Sequence, residues 1–110
     1  MGVNKVILIG NVGMDPRMHY PTKDEQLAFF TFATDERGAG GMTRTEWHNI
    51  VMTGNNARIA EQYIRKGTRL YLEGKLRTRQ YTDKTGIARK STEIYVDSFE
   101  FLGRDEPTRH

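Results

Sequence analysis

The stretch that most restricts the fold runs from Thr68 to Tyr81, TRLYLEGKLRTRQY. Its side chains alternate with a period of two, the mark of a strand with one covered face. Leu70, Leu72 and Leu76 fall on even positions, and Gly74 among them lets the strand coil. Tyr71, Glu73, Lys75, Arg77, Arg79 and Tyr81 fall on odd positions. A strand of this length needs partners to cover its leucines. Its other face carries mostly cations. A turn-like Asp83-Lys84-Thr85-Gly86 follows, and a second long strand returns through ARKSTEIYVDSFEFLG. The result is a hairpin in which residues 75–90 hold six Lys or Arg, one acid and one aromatic, Tyr81.

The remaining chain supplies the partners. Residues 3–10, VNKVILIG, read as an apolar, β-branched strand that ends in Gly10-Asn11-Val12-Gly13, where two glycines imply a sharp bend. Asp15-Pro16 and Tyr20 to Asp24 mark loops. A second strand covers 26–34, QLAFFTFAT, and a third covers 45–54, TEWHNIVMTG. Between them 35–43, DERGAGGMT, reads as a flexible loop. The segment NNARIAEQYIRKG predicts a helix capped by Asn55 or Asn56 and left through Gly67. Its apolar stripe is Ile59, Ala60, Tyr63 and Ile64, and Arg65 and Lys66 stand at the negative end of its dipole. In the last strand Ile94 and Val96 have the opposite parity to Phe99 and Phe101, which calls for a bulge near Asp97-Ser98. Five strands with one helix between the third and fourth match the OB-fold, a five-stranded Greek-key barrel. The expected division is 1–103 as that domain and 104–110 as a short disordered tail.

With 110 residues, 36% of them hydrophobic, the chain closes one lean core. No apolar run is long enough for a membrane-spanning helix, and the N-terminal apolar run reads as a strand, not a leader. Cysteine is absent, which excludes disulfides, thiolate metal sites and thiol catalysis and fits a cytoplasmic setting. The formal charge is only +3, but residues 57–90 carry ten Lys or Arg against three acids. That block is +7 and the remainder −4, a distribution that points to an anionic partner or to a solvated basic face.

Enzymatic readings find little support. His19, His48 and His110 are far apart and lack metal-ligand spacing. The Gly10–Gly13 run is neither a P-loop nor a dinucleotide fingerprint. Asp35-Glu36 and Asp105-Glu106 are adjacent carboxylates in loops, and no nucleophile lies beside a base. No cofactor or metal is expected. Single-strand recognition asks for something different: cations for phosphates and flat rings for unstacked bases. Trp47, the sole Trp, shares parity with Thr45 and Asn49, whereas Ile50 and Met52 take the other face. Trp47 therefore faces either a binding surface or, as the alternative, the core. Tyr81 ends a polar face beside a turn. Phe29, Phe30, Phe32, Tyr95, Phe99 and Phe101 sit in dense apolar runs and are assigned to the core, with Tyr63 and Tyr71 packed beside it. Lys5, Arg65, Lys66, Lys75, Arg77, Arg79 and Lys84 head the phosphate candidates, joined by Arg69, Arg89 and Lys90.

Four runs taken together, GVNKVILIGNVGMDP, TEWHNIVM, YIRKGTRLYLEGKLRTRQYTD and TEIYVDSFEFL, resemble the bacterial single-stranded DNA-binding proteins over 2–102. The resemblance implies an OB-fold, a homotetramer, and sequence-independent binding of single-stranded DNA in replication, recombination and repair, in the cytoplasm at the nucleoid. It places base-stacking rings at Trp47 and Tyr81 and an inter-subunit His at His48. Lys5, Arg65, Lys66, Arg77 and Arg79 fall on its cationic positions. Three positions depart from it: Thr53 replaces a stacking Phe, the Arg37-Gly38 region lacks a Trp, and Asn49 replaces an Arg. The family's acidic, Phe-ended tail has no counterpart in Arg104 to His110, so recruitment of replication and repair proteins through it is not implied. Two other readings compete. One is a short OB-fold assembly factor like primosomal replication protein N. The other is an RNA chaperone of the cold-shock type, which this chain's strands do not match in their aromatic runs.

Overall fold

The computed structural model describes residues 1–103. The expected tail, 104–110, lies outside the described residues. Among the described residues six strands and one α-helix occur in the order β1 (Val6–Val12), β2 (Arg17–His19), β3 (Leu27–Arg37), β4 (Thr43–Thr53), α1 (Gly54–Tyr63), β5 (Arg69–Thr82) and β6 (Ala88–Phe101), with a 3-10 turn at Ala39–Gly41 between β3 and β4. The spatial order is β1-β5-β6-β4-β3-β2, and an added β1–β3 pairing closes the sheet into a barrel. The five long strands and the helix between β4 and β5 reproduce the expected OB-fold. The short β2 adds a sixth strand that a run of three residues is too brief to announce by periodicity.

Closure depends on β1 changing partners. Val6 to Asn11 pair with β5, and Asn11 and Val12 pair with β3. Gly10 stands at the change, where a Cβ would run into the carbonyl of Ala33. Pairing also explains why β1 runs later than expected and why the loop between β3 and β4 is shorter. Asp35, Glu36 and Arg37 stay in register with Thr45, Arg44 and Thr43, and the Thr45 hydroxyl donates to Asp35 at 2.7 Å.

The core consists of the inward parity of each strand. Ala28, Phe30 and Phe32 meet Ile50 and Met52, Leu70 and Leu72, and Ile94 and Val96. Ala57 and Ala60 of α1, with Ile64 just past its end, plug the barrel. Each fully buried Phe, Ile, Leu, Met or Val side chain here contributes about 1.5–3 kcal/mol relative to exposure. The bulge falls where parity required it: Glu73 opposes Ser98 and Gly74 opposes Val96, so Asp97 is skipped. Beyond it Phe99 faces Leu72 and packs against the core.

Several residues differ from their expected places. Leu76 is 47% exposed, because the hairpin has by then left the barrel. Phe101 is half-exposed and meets Phe99 edge to face at 5.6 Å. Tyr63 is exposed at the last turn of α1, not packed. The N-cap is Thr53, not Asn55 or Asn56, and its side chain makes no capping bond. At the other end Arg65 donates to the carbonyls of Glu61 and Ile64, satisfying helix-end acceptors, and Gly67 takes φ 93° as the chain leaves.

Candidate nucleic-acid interface

Register determines which side chains share the barrel's outer face, since directly paired residues are neighbours on one side of a sheet. Arg17 pairs with Phe29, Phe29 with Val51, Val51 with Tyr95, and Tyr95 with Lys75. These five form one row across β2, β3, β4, β6 and β5. The next row is Thr31, Asn49, Glu93 and Arg77. A third holds Ala33 and Trp47 on one side and Ser91 and Arg79 on the other. Tyr81 follows on the hairpin, opposite Arg89. The face thus brings Trp47, Asn49, Lys75, Arg77, Arg79 and Tyr81 together.

Trp47 is 60% exposed and Tyr81 41%, so both rings are open to solvent. The expectation that Trp47 lies on an open surface holds, and the core alternative does not. The indole rests on Gly13, where a Cβ would strike ring carbons and come within 2.6 Å of the Thr31 hydroxyl. The absence of a side chain at Gly13, in the β1–β2 turn, is what lets the six-membered ring of Trp47 lie this close to the backbone. That role of the Gly-Asn-Val-Gly run was not visible as a contact in the sequence.

Two arginines organise the aromatic surface. The Arg79 guanidinium lies 5.3 Å from the centre of the Tyr81 ring and donates to both carboxylate oxygens of Glu93, at 2.9 to 3.3 Å. Glu93 is buried and also accepts from the Ser91 hydroxyl. A buried carboxylate therefore fixes Arg79, and Arg79 steadies Tyr81 by a cation–π contact. Arg77 lies 4.9 Å from the centre of the Tyr95 ring. At the hairpin tip Asp83 accepts from the backbone N–H and hydroxyl of Thr85, from the N–H of Ile87 and from Arg89, at 2.7 to 3.0 Å. The Thr85 hydroxyl bond, then Arg89, then the Ile87 amide hold the Asp83 carboxyl far below the usual carboxylate range.

The remaining cations surround this face or lie apart from it. Lys75 pairs loosely with Asp97 at 3.8 Å. Lys84 projects from the exposed turn. Lys66 and Arg65 stand at the α1–β5 corner, which is tied to the β1–β2 turn by a bond from the Lys66 amide to Asp15 at 2.8 Å. Lys5 is drawn to Glu73 at 3.2 Å, on the outer wall of β1 and β5, and not to Trp47. Hydrogen bonding from Tyr71, then Lys5, keeps the Glu73 carboxyl below its ordinary range. His48 is half-buried on the opposite parity and its Nε2 lies 2.9 Å from the Thr34 hydroxyl.

Two aromatic residues assigned to the core prove to be on this face instead. Phe29 and Tyr95 are half-buried and flank Val51, which is 1% exposed yet lies outside the core cluster. Apolar runs conceal parity because consecutive phenylalanines occupy both sides of a central strand. The one legible signal was the alternation itself: with Phe30 and Phe32 inward, Phe29 must point out. No group of three or more potential metal ligands occurs among the described residues.

An OB-fold barrel with an open face of rings and cations is a binding module of the oligonucleotide type. The model of the single-strand binding protein family matches residues 3–102, and this chain belongs to that family. A single-stranded DNA-binding protein of Bacteroides thetaiotaomicron is 53% identical over 108 residues, covering 93% of this chain and 67% of that protein. A solved structure described as a Plasmodium falciparum SSB complex with ssDNA superposes with a TM-score of 0.83 at 31% identity, covering 94% of this chain and 97% of that one.

Proposed function

We propose that this protein binds single-stranded DNA without sequence preference, as a binding protein and not an enzyme, in replication, recombination and repair. The observation that carries the reading is the open Trp47 ring on the same sheet face as Arg77, Arg79 and Tyr81. Stacking rings accept any base, because every base has a π-face, and each stacked base contributes about 1–3 kcal/mol. Cations along β5 and the hairpin meet phosphates irrespective of sequence. A duplex offers neither free base faces nor a flexible backbone to such a surface. The named relative and the DNA-bound neighbour support the same reading.

Within this reading Trp47 and Tyr81 stack bases. Arg77, Arg79, Lys75 and Lys84 contact or approach phosphates, Asn49 lies between them, and Lys66, Arg65 and Lys5 attract the strand from the rim. The protein acts as a homotetramer. Ile7 and Ile9 are 55% and 49% exposed on a β1 segment that pairs with β5 alone, leaving both an apolar patch and a free strand edge for a second copy. His48 takes part in a subunit contact. No helix among the described residues is long and apolar enough to cross a membrane, and a cytoplasmic place at the nucleoid suits a DNA ligand.

The test is a competition among oligo(dT), oligo(rU) and a mixed-sequence duplex for a labelled single strand, with the sedimentation mass determined on the same preparation. The reading predicts displacement by single strands, little by duplex, and a mass of four chains. Equal competition by duplex would contradict it.

A further inference from the structure

The outer face holds a cleft that neither Trp47 nor Tyr81 lines. It has a volume of about 210 Å³ and is bordered by Phe29, Val51, Asn49, Arg17, Arg79 and Glu93. That is below the usual range for drug-sized pockets, so it suits one flat ring and not a large ligand. Phe29 and buried Val51 supply its apolar floor. The exposed Asn49 stands beside it with an amide that can both donate and accept. Exposed Arg17, on the register partner of Phe29, stands at the outer edge. Glu93 also borders the cleft, but its carboxylate is buried and held by Arg79 and Ser91, so the negative charge is neutralised where a ligand would pass. The anion-attracting end is therefore the Arg17 end.

We infer that this cleft is a base subsite: one unpaired nucleotide of single-stranded DNA stacks on Phe29, its base edge meets Asn49, and its phosphate meets Arg17. The inference rests on the reading that the protein binds single-stranded DNA. It gives the strand a path that crosses the sheet from Trp47 toward β2, in addition to the course along β5. It also supplies an aromatic surface one row from Thr53, where the family resemblance places a ring that this chain lacks. Tyr95 offers no comparable site, because the Arg77 guanidinium already lies against its ring.

The test uses the unmodified protein first. Oligo(dT) carrying 5-iodo-deoxyuridine at successive positions is cross-linked by light, and tryptic peptides are mapped by mass spectrometry. Phe29 falls in the peptide 24–37, Trp47 in 45–58 and Tyr81 in 80–84, so the three sites separate. Cross-links are expected in 24–37 as well as in 45–58, since Phe30 and Phe32, the other rings of that peptide, are buried. Phe29→Leu keeps apolar bulk and removes the flat ring, and is expected to weaken oligo(dT) binding about 5- to 100-fold. Arg17→Gln should reduce the salt slope of binding by about 0.7. Cross-links confined to 45–58 and 80–84 would overturn the subsite and leave single-strand binding intact. Failure of the wild-type protein to bind oligo(dT) would overturn both.

Discussion

Gly13 lies directly against the indole of Trp47, and a methyl at that position would occupy space the ring now fills. The glycine is thus part of the binding face although it presents no side chain to a ligand. Gly13→Ala should tilt Trp47 away from its seat and shift its emission to longer wavelength. Binding of oligo(dT) should weaken by up to the worth of one stacked base, about 1–3 kcal/mol. Unchanged emission together with unchanged affinity would show that the ring needs no such seat.

Tyr81 and Arg79 make a pair whose two halves fail differently. Tyr81→Ala should weaken oligo(dT) binding by about 1–3 kcal/mol and leave the fold intact, since the ring is open to solvent. Arg79→Met removes the partner of a buried carboxylate, Glu93. With Ser91 as its remaining side-chain donor, the carboxylate loses its charged partner at a cost of about 1–3 kcal/mol, read as a lower urea midpoint. A stability loss from Tyr81→Ala as large as that from Arg79→Met would contradict the division.

The hairpin tip should respond to acid. Because the folded-state carboxyl of Asp83 titrates far below its unfolded range, its contribution is complete above the unfolded value, about 3.9. It is lost as the pH falls from there through the folded value. The amides of Thr85 and Ile87, both donors to Asp83, should therefore show protection factors, exchange slowed relative to an unstructured chain at the same pH, that are highest near neutrality and fall below about pH 4. In Asp83→Asn the charge that holds Arg89 is gone, so the protection factors should be lower at neutral pH and nearly flat toward acid.

Much of this was legible in the sequence for a physical reason. The alternation in 69–82 gave β5 its two faces, and the parity conflict between Val96 and Phe99 required the bulge now found at Asp97. The same parity logic favours the open face for Trp47 over the core alternative, and the ring is exposed. Relations that only a closed barrel creates leave no such mark in the sequence. Phe29 and Tyr95 sit in runs so apolar that composition outweighs parity. The contact of Gly13 with Trp47 joins β1 to β4 across the closing seam. Arg79 and Glu93 are fourteen positions apart and meet only through the hairpin register. Leu76 belonged to the apolar parity, but the barrel ends before it does.

Arg77 makes no ion pair among the described residues and stands over Tyr95 on the open face. Arg77→Gln should lower the slope of log affinity against log salt by about 0.7, the contribution of one phosphate contact on a single strand. Lys5→Gln should change the slope less, since that ammonium is engaged by Glu73. The reverse order of effects would move the DNA path to the β1 wall.

The central claim is that the exposed Trp47 ring stacks on unpaired bases. Its fluorescence, the only indole signal in the chain, should be quenched on titration with oligo(dT) to a fixed stoichiometry, with the midpoint moving to higher concentration as salt rises. Saturable binding of oligo(dT) with no change in Trp47 fluorescence would contradict the claim.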